Sequence, residues 1–221
     1  MTDVIPAETA RFVRALAEPG DETLAAMEEH GETHGPTTVG REVGTLLRFL
    51  ARTAGATRAF EFGSGYGYSA YWIALGLGEG GEVVLTERDE ETLSTAREFF
   101  ERGGMAGRAT FEAGDAHDAI ERHDGPFDLV LIDHAKSLYP AAFEAVRGTV
   151  APGGLVVADN AMVSTSIDFP ALLASLEGEE RDLNDSTRGV FEYLTAVRED
   201  PDFETVGIPL GEGVAVSRRL E

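Results

Sequence analysis

Residues 58–77 read RAFEFGSGYGYSAYWIALGL, and the order of textures in this stretch decides the fold. RAFEF is short, apolar and aromatic, as a buried strand is; Gly63, Gly65 and Gly67 follow in a turn, and YSAYWIALGL continues as a helix. A strand that runs through glycines straight into a helix is the first half of a βαβ unit, where backbone comes close to a ligand at the helix N-terminus.

Downstream the same rhythm repeats. GEVVLTE (81–87) reads as a second strand, and DEETLSTAREFFERGG (89–104) as a helix with an acidic first turn and a glycine stop. RATFEAGDAHDAI (108–120) offers a third strand and a helix start, FDLVLID (127–133) a fourth strand, YPAAFEAVRGTV (139–150) a helix and GGLVVADN (153–160) a fifth strand. Alternation of this kind predicts parallel pairing with right-handed crossovers, a doubly wound α/β sheet. DFPALLASL (168–176) and STRGVFEYLTAVRED (186–200) are helical, and FETVGIPL and GVAVSRRL then close the chain as an antiparallel hairpin around GEG (211–213). The expected sheet is therefore mostly parallel and seven-stranded, Rossmann-like.

Upstream, Phe12, Leu16, Leu24 and Met27 have helical spacing broken at EPGD (18–21), which predicts two short helices. HGETHGPTTVG (30–40) interrupts the pattern, and Val43, Leu46, Leu47 and Leu50 mark an amphipathic helix over 41–54. His30 and His34 stand four apart, but Gly31, Gly35 and Pro36 argue against a helix, so both are read as loop histidines. Trp72, Phe99 and Phe100 are read as core. With no repeat or linker, 1–221 is expected to form one domain, 1–36 a helical lid segment and 37–221 the core.

The chain of 221 residues carries a formal charge of −22, with Asp and Glu spread along its length. Such a surface repels nucleic acid and anionic membrane, so neither is expected as a partner. An acidic coat almost without lysine also suits very high salt, which points to a halophile's cytoplasm. There are no cysteines, which excludes disulfides, thiolate zinc and a cysteine nucleophile. MTDVIPAETARFVRAL lacks the features of a signal peptide, and a cytoplasmic location is expected.

Candidate site residues cluster where strands end. A dinucleotide fingerprint would place glycine at position 68, but Tyr68 stands there, which disfavours an NAD(P)-dependent oxidoreductase. Glu87 closes the second strand, where an acidic side chain accepts hydrogen bonds from ribose hydroxyls; Glu61, on the first strand, suits a cationic ammonium. Ribose, ammonium and sulfonium together describe S-adenosylmethionine. Asp115 stands where an adenine edge would lie, and it suits a helix cap equally well. Asp133, Asp159 and Asn160 end the fourth and fifth strands and form an oxygen-only partial shell suited to Mg2+ or another hard divalent cation; capping and turn roles remain open for each singly. Lys136 is the only lysine in the chain, and an amine, unlike a guanidinium, is able to serve as a base.

EFGSGYGYSA, IDHAKSLY and VVADN with DF downstream resemble the divalent-metal-dependent O-methyltransferases of the catechol type, and the ending TRGVFEYLTAVREDPDFETVGIPLGEGVAVSRRL is similar to the caffeoyl-CoA branch. The resemblance runs from about Thr37 to the C-terminus and includes TTVGREVG. It implies that Asp133, Asp159 and Asn160 hold Mg2+, that Lys136 is the base, and that Glu87 holds the cofactor ribose. It further implies that Val39, Glu61, Gly63 and Ser69 lie along the methionine part of S-adenosylmethionine, with Asp115, Ala116, His117, Asp133 and His134 completing the cofactor site toward the adenine. A hydroxylated aromatic acceptor and a homodimer are also implied. The animal catechol enzyme carries an aromatic residue where this chain has Ala135. A non-catalytic nucleotide-binding module of the same fold is the remaining alternative.

Overall fold

A computed structural model describes residues 4–34 and 38–221. The Gly35–Pro36 break and the boundary drawn between residues 36 and 37 fall outside them. Helices α1 (Ala7–Leu16), α2 (Glu22–His34) and α3 (Gly40–Thr53) precede β1 (Arg58–Phe62), α4 (Tyr68–Gly76), β2 (Glu82–Glu87), α5 (Glu90–Arg102) and β3 (Ala109–Ala113). Then come α6 (Ala116–Ile120), β4 (Phe127–Ile132), α7 (Tyr139–Val146), β5 (Val150–Ala158), α8 (Phe169–Leu176), α9 (Asp185–Glu199), β6 (Phe203–Ile208) and β7 (Val214–Arg219). The strands form one sheet in the order β3-β2-β1-β4-β5-β7-β6. β1 to β5 pair in parallel, and β7 joins antiparallel both to β5 and to β6. The expected seven strands and closing hairpin are thus present.

Strand alternation divides the core into two layers. Ala59, Val83, Leu85, Leu129, Leu131 and Val157 face α3, α4 and α5, while Phe60, Phe62, Val84, Val130, Ile132 and Val156 face α6, α7 and α9. Burial on both faces explains why these strands are continuously apolar. α4 is buried almost throughout, Trp72 completely. It lies so close to α3 that a Cβ on Gly44 would sit 2.3 Å from the Trp72 indole, and one on Gly76 2.7 Å from the Arg48 carbonyl. The Arg108 guanidinium donates to the carbonyls of Ala74, Leu77, Gly78 and Gly81, closing the C-terminal end of α4 and the turn that leads from it to β2.

The loop reading of His30 and His34 is corrected here. α2 runs through Gly31 to His34, and the two imidazoles stack with centroids 4.2 Å apart; His30 also meets Tyr66 and Phe99 edge-on. Gly31 costs a helix about 1 kcal/mol, and tertiary contacts offset it. Leu24 and Met27 are fully buried. Tyr66 donates to the Met27 carbonyl at 3.0 Å, Tyr68 to Glu28 at 2.8 Å and Tyr71 to Asp21 at 2.9 Å, so the turn before α4 and α4 itself fasten α2. α1 has no buried residue. Among the described residues no helix is long and apolar enough to cross a membrane.

Candidate functional site

A cleft of about 750 Å³ opens over the carboxyl ends of β1, β2, β4 and β5, with α1 along one side. Its floor is the glycine turn. Gly63, Gly65 and Gly67 all have positive φ, and Gly63 has a second constraint: a Cβ there would lie 2.8 Å from the Asp133 carbonyl oxygen and 2.9 Å from His134 Cβ. Absence of a side chain lets the ends of β1 and β4 come together. Thr86, on the neighbouring strand, laces the turn down: its hydroxyl accepts from Gly63 N–H and donates to the Glu61 carbonyl, its carbonyl accepts from Ser64 N–H, and its N–H donates to Ser64 Oγ. Sequence reading passed over Ser64 and Thr86 because an isolated hydroxyl carries no spacing signal.

Glu87 is held at both oxygens, accepting from Gly65 N–H at 3.1 Å and Asp89 N–H at 3.0 Å, so its carboxylate lies fixed beside the glycine turn. Asp115 caps α6 by accepting from His117 N–H at 2.8 Å, and it pairs with Arg88; the cap bond, ahead of Arg88, holds its pKa below the usual carboxylate range. The capping alternative is realised, and Asp115 still lines the cleft together with Ala116. Val39 immediately precedes α3 and lines the wall, as do Gly63, Ser69, Glu87, Asp133 and His134.

Two expected residues are not in the wall. Glu61 is fully buried beneath it, because its place on β1 points it at α4, where Ser69 Oγ donates to its Oε1 while Oε2 has no partner. Burial pushes its pKa up to about 8, with the Ser69 bond opposing and the Asp133 charge adding to the rise. His117 sits behind the wall, stacked on His134 at 5.4 Å, and His134 stacks in turn on Tyr139 at 5.7 Å. Burial, then the neighbouring His117, lowers the His134 pKa to about 3, so its ring is neutral.

At the β4 and β5 ends, Asp133, Asp159, Asn160 and Lys136 converge. Lys136 Nζ donates to Asp133 Oδ1 at 3.1 Å, Tyr139 Oη at 2.7 Å and Asn160 Oδ1 at 2.5 Å, using all three of its donors. Tyr139 spends its own hydrogen on the Asp159 carbonyl at 2.9 Å, which leaves a lone pair for the lysine. Asn160 has φ +50, the one positive value outside glycine among the described residues. Burial raises the pKa of both Asp133 and Asp159, against the pull of Lys136; the Asp133 charge adds to the rise at Asp159, and the Glu212 charge adds to it at both. Among the described residues no group of three or more His, Asp or Glu side chains is arranged to hold a metal ion. The expected trio contains only two carboxylates and an amide. Its fit to a cation rests on donor chemistry: all the oxygens are hard, and Asp159 Oδ1 is buried without a partner, which a cation would supply. Sequence reading missed Glu212, whose Oε2 accepts from Asn160 Nδ2 across the cleft wall.

Comparisons with known proteins identify the family. A family model described as O-methyltransferase matches residues 17–220. Tricin synthase 1 of Oryza sativa is 29% identical over 184 residues, 79% of this chain and 71% of its own length. The catechol O-methyltransferase of Niastella koreensis is 32% identical over 145 residues, 63% of this chain and 66% of its own. A crystal structure of an O-methyltransferase from Bacillus cereus in complex with SAH superimposes with TM-score 0.81, covering 96% of this chain and 97% of that one at 24% identity.

Proposed function

Because the chain belongs to the O-methyltransferase family, we propose that it moves a methyl group from S-adenosylmethionine to one hydroxyl of a catechol-like small molecule, with Mg2+ as the assisting cation. The observation that carries this reading is the meeting of Asp133, Asp159, Asn160 and Lys136 at the far end of the glycine-floored cleft.

Glu87, anchored to the backbone of the same turn, is the acceptor for the two ribose hydroxyls. The α4 N-terminus, next to Gly67, offers N–H groups to the methionine carboxylate, while Ser69 and the buried Glu61 beneath it favour the ammonium. Together they aim the sulfonium methyl toward the β4 and β5 ends. Asp133, Asp159 and Asn160 would hold Mg2+, which when bound supplies Lewis-acid stabilisation of an ionising acceptor hydroxyl. Lys136, when neutral, takes the hydroxyl proton at Nζ. The acceptor oxygen forms a bond to the methyl carbon, the carbon–sulfur bond breaks, and S-adenosylhomocysteine leaves with the electron pair. Ala10 and Val13 of α1, with Ile5 just before it, give the cleft an apolar side that a planar aromatic acceptor would cover. The family resemblance extends the proposal to a homodimer.

The test is transfer of labelled methyl to a panel of catechols, with Mg2+ or with EDTA, by the wild type and by Lys136→Arg. The expected result is product that requires the divalent cation and a loss of about 10²–10⁴-fold in rate with arginine, at unchanged S-adenosylhomocysteine affinity. Turnover indifferent to EDTA and to the substitution would refute both the cation and the base.

A further inference from the structure

GEG (211–213) is an ordinary hairpin turn by sequence, but the structure makes it the mount of a carboxylate. Gly211 has φ +57 and Gly213 φ +91. A Cβ at 211 would lie 2.8 Å from Val43 Cγ2, and one at 213 only 2.4 Å from Met162 Cγ, so the turn is packed between α3 and the segment that follows β5. Three backbone bonds fix it: Ala161 N–H to the Gly213 carbonyl at 2.7 Å, Val163 N–H to the Glu212 carbonyl at 2.9 Å, and Gly213 N–H to the Leu210 carbonyl at 2.9 Å. Glu212 is thereby tied to the segment that follows Asn160.

The side chain of Asn160 is a rotor with two nearly isosteric orientations. In one, Oδ1 accepts from Lys136; in the other, the amide N–H₂ would face the lysine's own donors. Nothing in the β5 backbone chooses between them. Lys136, which has donors only, favours the first, and Glu212 fixes the same choice from the opposite side of the amide, where its Oε2 accepts from Nδ2. A carboxylate has no hydrogen to give, so only the orientation with Nδ2 toward Glu212 and Oδ1 toward Lys136 is bonded at both ends.

We propose that Glu212 is a positioning residue: by accepting the Asn160 amide it keeps Asn160 Oδ1 turned to Lys136 and to the place of the assisting cation. The part that concerns the cation rests on the proposed function; the orientation of the amide does not. Orientation requires an acceptor, not a charge, and this separates the role from that of a direct ligand or a substrate contact.

Two variants and two readouts test it. Glu212→Gln keeps an acceptor, whereas Glu212→Leu has none; Glu212→Ala, which also keeps both glycines, stands in if the leucine variant does not fold. In ¹⁵N-labelled, metal-free protein, the Asn160 side-chain amide is identified by its absence from the spectrum of Asn160→Asp. Its hydrogen exchange is expected to be slow in wild type and Glu212→Gln and at least about tenfold faster in Glu212→Leu. In a titration with Mn2+ followed by its paramagnetic resonance signal, Glu212→Leu is expected to weaken binding about 10–100-fold, as loss of an outer-shell partner does, while Glu212→Gln stays within about threefold. Wild-type behaviour of Glu212→Leu in the exchange experiment overturns the proposal. Glu212→Gln as damaged as Glu212→Leu overturns it too, by showing that charge is what matters. A wild type that binds no Mn2+ overturns the cation reading alone, and the exchange rates then decide Glu212 by themselves.

Discussion

Gly63→Ala is the substitution whose cost the structure defines most closely. At φ +81 an alanine pays the left-handed penalty of about 1–2 kcal/mol. Its Cβ would also meet the Asp133 carbonyl oxygen at 2.8 Å, His134 Cβ at 2.9 Å and His134 Cα at 3.0 Å. These atoms belong to Asp133 and His134, the two residues that follow β4, and Asp133 N–H is bonded to the Phe62 carbonyl of β1, so relief requires parting this segment from β1; such overpacking costs about 1–3 kcal/mol more. The sum is roughly 2–5 kcal/mol, which for a domain of this size lowers Tm by roughly 4–20 °C. Gly65→Ala is the internal control, because it shares the turn and a positive φ of +51 but its Cβ would meet nothing within 4 Å. It is expected to lose only about 1–2 kcal/mol. Thermal and urea unfolding of the three proteins, without ligand and at one salt concentration, measures both. A Gly63→Ala protein no less stable than Gly65→Ala would refute the argument that close approach of the β4 end is what requires glycine there.

Two further predictions concern the same floor and the helix above it. Burial pushes the Glu61 pKa up to about 8, which favours the protonated form at neutral pH without ligand; an ammonium bound over Ser69, as proposed, would favour the ionised form, so that binding releases a proton. S-adenosylhomocysteine affinity should then rise by up to about tenfold per pH unit below that value and level off above it; calorimetry showing no proton release, or the same slope in Glu61→Gln, would defeat this. Arg108→Ala leaves four carbonyls of the α4 end and the turn to β2 without their charged donor and is expected to cost about 2–3 kcal/mol in urea unfolding; a loss below about 0.5 kcal/mol, ordinary for a surface substitution, would show that water replaces the guanidinium fully.

What could be read from the sequence followed from how local the signal is. The strand, glycine turn and helix of residues 58–77 are adjacent in the chain, and the acidic and amide residues of LVLID and VVADN sit at strand ends, which topology alone brings to one crevice. Asp115 reads as a cap because its partner, His117 N–H, is two residues away. His30 and His34 were misplaced because Gly31 and Pro36 speak for local preference, whereas α2 is held by tyrosines from another part of the chain. Glu61 and His117 carry the expected residue types at the expected positions, yet the alternation of β1 and the stacking of two imidazoles put them behind the wall. Glu212 was passed over because its partner, Asn160, lies far off in sequence and meets it only when β7 pairs with β5.

The three phenolic bonds from Tyr66, Tyr68 and Tyr71 to α2 and to Asp21 at its start also decide how motion is shared. Tyr66 belongs to the glycine turn itself, so α2 cannot lift away without breaking a bond to the residue between Gly65 and Gly67. The second helix and the cofactor's floor therefore open and close as one cooperative unit, at one free energy, although a run of chain with different character separates them. α1, with no buried residue of its own, lies outside that unit. Displacing α1 breaks none of these three phenolic bonds, so the floor is held independently of the first helix.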